Sequence, residues 1–532
     1  MKQRKLFALV ALLLCAAMLL TACAKSGGET TTETTQTSAE STAPAAEAAA
    51  AADTSTNLRV ALKNEPPSLD PYNISDQTSN AVKVQILESL FQMDAEGNVT
   101  PLLAESYEFV DDTTLRIQLK QGVKFHNGEE LKASDAVFSL KSAAESSLIS
   151  QYSGMMDPEG FTVEGDYTFT LKTKMAYSPI LNALAAPANA IVCEKTYTEM
   201  GDEFARQPIG TGPFAFDTWN TGDSIVLKRF DEYYGEKAKC EKLTFRFITE
   251  ASSRLIELES GGVDIALDLS NSDLKLAQSN DKLTVYSTPG YQIVYIALNE
   301  QREMFQDVNV RKAMHYAVDM QAIVDVVYEG LTEASKTVMP GTINGACADL
   351  PQYDYNVELA KQYMAESGYP NGFTCNIVIN EDVNRTRIAE MVQAYWAEIG
   401  ITLEVKQLEQ SSFMSALNTL EGLDTCVGGL NNPVGHADTT LFRLFYSENL
   451  GSGGNYSAYN NPEVDGLLME ARTKTSWDEQ KALYQKAQEI IWDDAVILPV
   501  TTPLVTLATS NAVDGLSIRP DMYQRYSTVF FK

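Results

Sequence analysis

The chain has 532 residues, 41 of them Lys or Arg and 71 Asp or Glu, for a formal charge of −30. Such a surface repels phosphate backbones, which excludes nucleic acid as an expected partner. Hydrophobic residues make up 44%, enough for globular folding, and a chain of this length exceeds one hydrophobic core, so two or three lobes are expected.

At the start, Lys2, Arg4 and Lys5 precede a hydrophobic run from Leu6 to Leu20 that closes in Leu20-Thr21-Ala22-Cys23. The run is short for a bilayer span, and the small residues before Cys23 suit a peptidase that cleaves ahead of a lipid-modified cysteine. Residues 1–22 therefore read as a lipoprotein signal peptide and Cys23 as the lipidation site, with an uncleaved anchor as the other reading. Either way the expected location is extracytoplasmic, tied to the outer face of the cell membrane. From Gly27 to Ala52 the chain is almost wholly Gly, Thr, Ser, Glu and Ala. That composition cannot order itself by burial, so 23–56 reads as lipidated Cys plus disordered tether. No later hydrophobic segment is long enough to span a bilayer.

Beyond the tether, Leu115, Ile117 and Leu119 alternate with polar residues as a half-buried strand, and Leu243, Phe245 and Phe247 repeat the pattern. Val310, Ala313, Met314, Ala317 and Val318 fall at helical spacing in a unit from Asp307 to Gly330. Ile388, Met391, Val392, Tyr395, Trp396 and Ile399 mark a helix that Gly400 ends, before a strand at Ile401–Val405. Helix followed by short strand favours an α/β fold, and no fixed-period repeat suggests a solenoid.

Catalytic patterns are missing. The three histidines, His126, His315 and His436, form no H-E-x-x-H, and the chain holds no G-x-S-x-G elbow or Walker loop. Cys193, Cys240, Cys347, Cys375 and Cys426 form no C-x-x-C pair, so neither a zinc knuckle nor a disulfide framework is legible. No cofactor, metal or catalytic residue is expected. A binding protein is the leading reading, and a surface-anchored hydrolase with two unidentified carboxylates is the alternative.

Leu119-Lys120-Gln121-Gly122-Val123-Lys124-Phe125-His126-Asn127-Gly128, followed by Ala133-Ser134-Asp135-Ala136-Val137-Phe138-Ser139-Leu140, resembles the long signature of the family 5 extracellular solute-binding proteins of ABC transporters. Gly210-Thr211-Gly212-Pro213-Phe214, Val310-Arg311-Lys312-Ala313, Asn461-Pro462 and Leu498-Pro499-Val500 keep the family's order. Within the signature, Ser134 is expected to cap a helix, and His126 reads as structural. The resemblance implies a type II periplasmic-binding-protein clamshell with mixed sheets: two lobes, an additional third domain and a two-crossover hinge near residues 292 and 502. It further implies domain I from 57–86, 207–292 and 503–532, domain II from 87–206 and domain III from 293–502. The function implied is that of an importer's receptor for short peptides, di- or oligopeptides or glutathione-like. It would act as a monomer and deliver its ligand to a permease pair driven by cytoplasmic ATPases. A nickel chelate or another small solute is the alternative ligand.

Gly429 to Asp438 looks like the family's ligand loop, with Leu430 where a tryptophan is usual. Asp438 is the candidate for a ligand ammonium, unless it caps a helix beginning at Thr439. Asn431, Asn432 and His436 would be its neutral partners. Arg385 or Arg387 would hold a ligand carboxylate, or else serve as solvated helix-start cations. Thr78 and Ser79 lie in an early turn that faces the cleft in relatives, although Ser79 could instead cap a helix. Tyr291 and Asn299 are assigned to the hinge crossover.

Overall fold

The computed structural model describes residues 56–73, 76–94 and 97–532. Cys23, the expected signal peptide and nearly all of the tether lie outside the described residues. Among the described residues no helix is long and apolar enough to cross a membrane.

Three larger sheets organise the chain. The first has seven strands in the order Leu283–Pro289, Leu504–Ser510, Ile265–Leu267, Asn57–Leu62, Lys242–Phe247, Ser224–Arg229 and Phe214–Asn220. Alternation along these strands sorts their side chains onto two faces. Leu58, Val60, Leu243, Phe245 and Leu507 enter one core, whereas Ala61, Ala266 and Ala508 enter another, beneath the helices Ala251–Glu259 and Asn271–Gln278. Those alanines are in register across three adjacent strands, and their small size lets the helices sit close to the sheet.

A second, five-stranded sheet runs Thr402–Gln407, Thr374–Ile379, Thr425–Asn431, Gln292–Leu298 and Ile497–Thr501. It is buried on both faces: Ile293, Tyr295 and Cys426 pack on one, and Val294, Ile296, Ile377 and Val427 on the other. The third sheet, Ala104–Asp111, Thr114–Leu119, Thr168–Lys172 and Thr162–Gly165, is antiparallel, and Leu115, Ile117 and Leu119 face the core as their alternation predicts.

Local expectations are refined at three points. The unit from Asp307 to Gly330 is two helices, Val308–Tyr316 and Met320–Val327, because the Asp319 side chain caps the second by accepting from Ala322 N. In the signature the helix spans Ala133–Glu145, two residues earlier than a Ser134 cap requires. Its start is held by the Asp135 carboxylate, which accepts from Lys132 N at 2.9 Å. The His126 ring joins the signature to the glycine turn, with Nδ1 accepting from Gly210 N at 3.3 Å and Nε2 lying 2.9 Å from the Gly212 carbonyl.

The chain passes between the seven- and five-stranded sheets at 290–291 and again at 502–503. The two passages lie side by side, with Gly290 N donating to the Pro503 carbonyl at 3.0 Å. Pairing directions fix the consequence. In the first sheet Asn57–Leu62 is parallel to Lys242–Phe247 and Ile265–Leu267, and Leu283–Pro289 enters the crossover with the same sense. In the second, Thr374–Ile379 is parallel to Thr402–Gln407 and Thr425–Asn431, and Gln292–Leu298 leaves the crossover antiparallel to them. The carboxyl ends of the parallel strands of both sheets therefore lie at the edges that the crossovers join.

Gly372 stands ahead of Thr374–Ile379 with φ of +78°, and a Cβ there would lie 1.8 Å from the Gly400 carbonyl. Gly372→Ala should lower the denaturant unfolding midpoint, with roughly 1–3 kcal/mol from backbone strain alone before the clash is counted.

Candidate functional site

In open α/β sheets, ligands bind outside the carboxyl ends of parallel strands. Here two such edges are joined, and a cavity of about 480 Å³ lies between them. One wall carries Gln77, Asp268, Leu274, Ser287 and Met522; the other carries Tyr328, Leu331 and Asn384; Pro503 and Leu504 close it at the crossover. Its volume suits a small ligand. Burial pushes the Tyr328 phenol up to about 12, so its hydroxyl is a neutral donor and acceptor at physiological pH.

Arg385 neighbours this cavity. Asp382 caps the helix Val383–Ala397 by accepting from Arg385 N at 2.9 Å, which sets the first turn where the Arg385 side chain turns back over the sheet edge. Its Nη1 donates to Asn380 Oδ1 at 3.2 Å, and the guanidinium lies 5.2 Å from the Phe413 ring centroid. A Cβ on Gly429 would lie 3.4 Å from Arg385 Nη2, so the bare backbone there leaves the guanidinium its place. All these partners are neutral, and the charge keeps its capacity for an anion. Arg387, two residues on, is exposed.

The loop after Thr425–Asn431 is organised differently from the expectation. Asp438 is buried and receives a two-point bond from Arg472, Nε to Oδ1 at 2.7 Å and Nη2 to Oδ2 at 2.8 Å. The guanidinium also stacks on Phe442, 3.2 Å from its centroid. An ammonium would have to displace that charge-assisted fork, so the assignment of Asp438 to a ligand ammonium is corrected to a structural ion pair. Nor is Asp438 a cap: the helix is Ala437–Phe445, and the His436 Nδ1 caps it by accepting from Asp438 N at 3.1 Å.

Asn432 is fully buried, and its amide donates to the His436 carbonyl at 2.8 Å and to Thr440 Oγ1 at 2.9 Å. His436 borders a separate cavity of about 330 Å³ with Trp477, Gln480 and Asn182. Asn431 is half-buried at the strand end, opposite Gln292. Leu430 packs in the core with Ile293.

Thr78 is half-buried in the helix Gln77–Ile86, next to the cavity-lining Gln77. Ser79 is fully buried and does not cap that helix; Asp76 does, accepting from Ser79 N at 2.9 Å. Tyr291 does sit at the crossover, with its carbonyl accepting from Asn432 N at 2.9 Å. Asn299 does not. It lies past the far end of Gln292–Leu298, where its amide donates to the Leu423 carbonyl at 2.8 Å and accepts from Gln301 N at 3.0 Å. Asn299 is thus a buried strap, because a whole strand length separates it from the crossover. Asp268, Tyr328, Asn384 and Met522 escaped the sequence reading. Only Asp268 left a trace there, as a carboxylate directly after the apolar run Ile265-Ala266-Leu267.

Comparison with known proteins agrees with this architecture. The fold is that of the type II periplasmic binding proteins. HbpA2 from Haemophilus parasuis superposes with a TM-score of 0.83 at 27% identity, over 90% of this chain and all of that one. DppA from Helicobacter pylori, in complex with the peptide STSA, has a TM-score of 0.73 at 25% identity over 89% of this chain and 98% of its own. Residues 98–452 match the bacterial extracellular solute-binding proteins, family 5, and the chain belongs to that family. Among curated relatives, the glutathione-binding protein GsiB of Salmonella paratyphi A is 28% identical over 471 residues, 87% of this chain and 92% of that protein.

Two measurements follow. Asp438→Ala, which strands a buried guanidinium, should cost about 3–5 kcal/mol of unfolding free energy, and the pair Asp438→Leu with Arg472→Met should recover much of it. Burial lowers the His436 pKa from 6.5 to about 4. Its contribution to stability is therefore full above pH 6.5 and is lost as pH falls toward 4. Urea unfolding between pH 7 and 4 should show a flatter pH dependence for His436→Asn than for the unsubstituted protein.

Proposed function

We propose that this protein is the extracytoplasmic receptor of an ABC importer and captures short peptides, glutathione-like peptides included. The observation that carries the reading is the polar cavity between two facing carboxyl edges, with Arg385 next in sequence to the lining Asn384, close enough to act on the lining Tyr328, and hydrogen-bonded through its side chain only to neutral Asn380. A peptide suits such walls, because its terminal carboxylate matches a guanidinium fork and its amides match neutral side chains. Relatives whose names specify glutathione or bound peptides support the same class of ligand.

In this reading 57–86, 207–292 and 503–532 form one domain, 87–206 a second and 293–502 a third. The paired crossovers act as the hinge on which the cleft closes. Capture needs no bond breaking, so the protein acts without enzymatic turnover and as a monomer. Lipidation at Cys23 and the tether to residue 56 would hold it near a permease pair with cytoplasmic ATPases.

A calorimetric panel of di- to pentapeptides, glutathione and nickel-histidine tests the proposal. At least one peptide should bind, and Arg385→Ala should weaken that peptide by roughly tenfold or more, the equivalent of about 1.4 kcal/mol. Binding of the nickel chelate with no response to any peptide would overturn it.

A further inference from the structure

Among the described residues that line the 480 Å³ cavity, Asp268 is the only charged one. It stands directly beyond the carboxyl end of Ile265–Leu267, with φ of +53°, a left-handed conformation that non-glycine residues seldom adopt. The Arg254 guanidinium holds it there. Nε donates to the Leu267 carbonyl at 2.9 Å, Nη1 to those of Ile248 and Thr249 at 2.7 and 2.8 Å, and Nη2 to the carbonyl of Asp268 itself. Arg254 is buried, so a fixed, solvent-excluded group clamps the ends of two parallel strands and turns Asp268 outward from the sheet. A left-handed aspartate held in this way at a strand end is compatible with a functional wall.

The carboxylate caps no helix, and the charges in whose field it lies are the buried Arg254 guanidinium, itself bonded to backbone carbonyls, and Lys63. The helix that follows, Asn271–Gln278, is capped by Ser270, which accepts from Asp273 N at 3.1 Å. Among the described residues Asp268 forms no ion pair, and its one hydrogen bond is a 3.4 Å contact from Gln77 Nε2, itself a cavity wall. The opposite wall bears Asn384 and Tyr328, both neutral, with Arg385 adjoining.

We propose that Asp268 is the carboxylate that holds the ligand's ammonium group, from the wall opposite Arg385, in the part that Asp438 surrenders to Arg472. The ligand then lies across the cleft, cationic end toward the seven-stranded sheet and carboxylate end toward the five-stranded one. Each charge meets its partner on a different wall, so ligand binding favours the closed arrangement. This inference rests on the peptide-receptor reading and adds the direction in which the ligand lies.

Asp268→Asn keeps the shape and the tolerance for left-handed backbone, and Asp268→Gly removes the carboxylate while relieving the strain. Both should fold, with a Tm at or above that of the parent for the glycine variant. Calorimetry with trialanine, N-acetyl-trialanine, N-acetyl-Ala-Lys-Ala and glutathione provides the test. The parent should bind trialanine or glutathione, and blocking the amino group of trialanine should weaken it at least tenfold. In both variants free and acetylated trialanine should bind alike. If N-acetyl-Ala-Lys-Ala binds the parent but neither variant, the ammonium held is that of a side chain. A variant that retains the parent's tenfold preference for the free amine overturns the role of Asp268 and leaves the peptide reading standing. Failure of every peptide to bind the parent overturns both.

Discussion

Everything at the candidate site depends on one constraint of connectivity. The two passages between the main sheets run side by side and are bonded to each other from Gly290 to Pro503. A single passage would leave the two halves free to swivel. Two adjacent ones hold together the edges where parallel strands end. Groups that a strand end presents on one sheet therefore face groups presented on the other, with a space of peptide size between them.

Charge placement follows from that frame. The chain is strongly acidic, and most of its arginines are engaged by carboxylates or backbone carbonyls. Arg254 clamps strand ends, and Arg472 neutralises Asp438 beneath the loop that follows Thr425–Asn431. The Asp438–Arg472 pair anchors the loop carrying Asn432 and His436, at the cost of removing that carboxylate from ligand chemistry. Arg385 and Asp268, on different sides of the cleft, are bonded through their side chains only to neutral partners. A zwitterionic ligand complements such a pair, and a chain with charge −30 disfavours an anion that lacks a cationic end.

How legible this was differs by level. The strand around Leu115, Ile117 and Leu119 and the helix around Ile388, Val392 and Trp396 were plain from periodicity, because burying one face imposes the period of the element. Arg385 and Arg387 were offered together from the family resemblance, and burial and side-chain contacts, which separate a half-buried Arg385 from an exposed Arg387, come only from the fold. Asp438, Ser79 and Asn299 were misjudged for a shared reason: each is polar and well placed in its own segment, but its employment is fixed by a residue far along the chain or by burial. Arg472 is thirty-four positions from Asp438, and nothing local connects them.

The sequence by itself determined the class of fold, the membership of the solute-binding family and the absence of familiar catalytic motifs. These rest on composition, short-range periodicity and contiguous motifs, all of which are properties of neighbouring residues. Only the tertiary structure decided which charges are spent and which are available. Whether a carboxylate is a ligand or a strut depends on what the folded chain brings within 3 Å of it. Asp268 on one wall of the cavity faces Tyr328 and Asn384, the residue before Arg385, on the other because two sheets, each assembled from distant segments, are joined at their carboxyl edges.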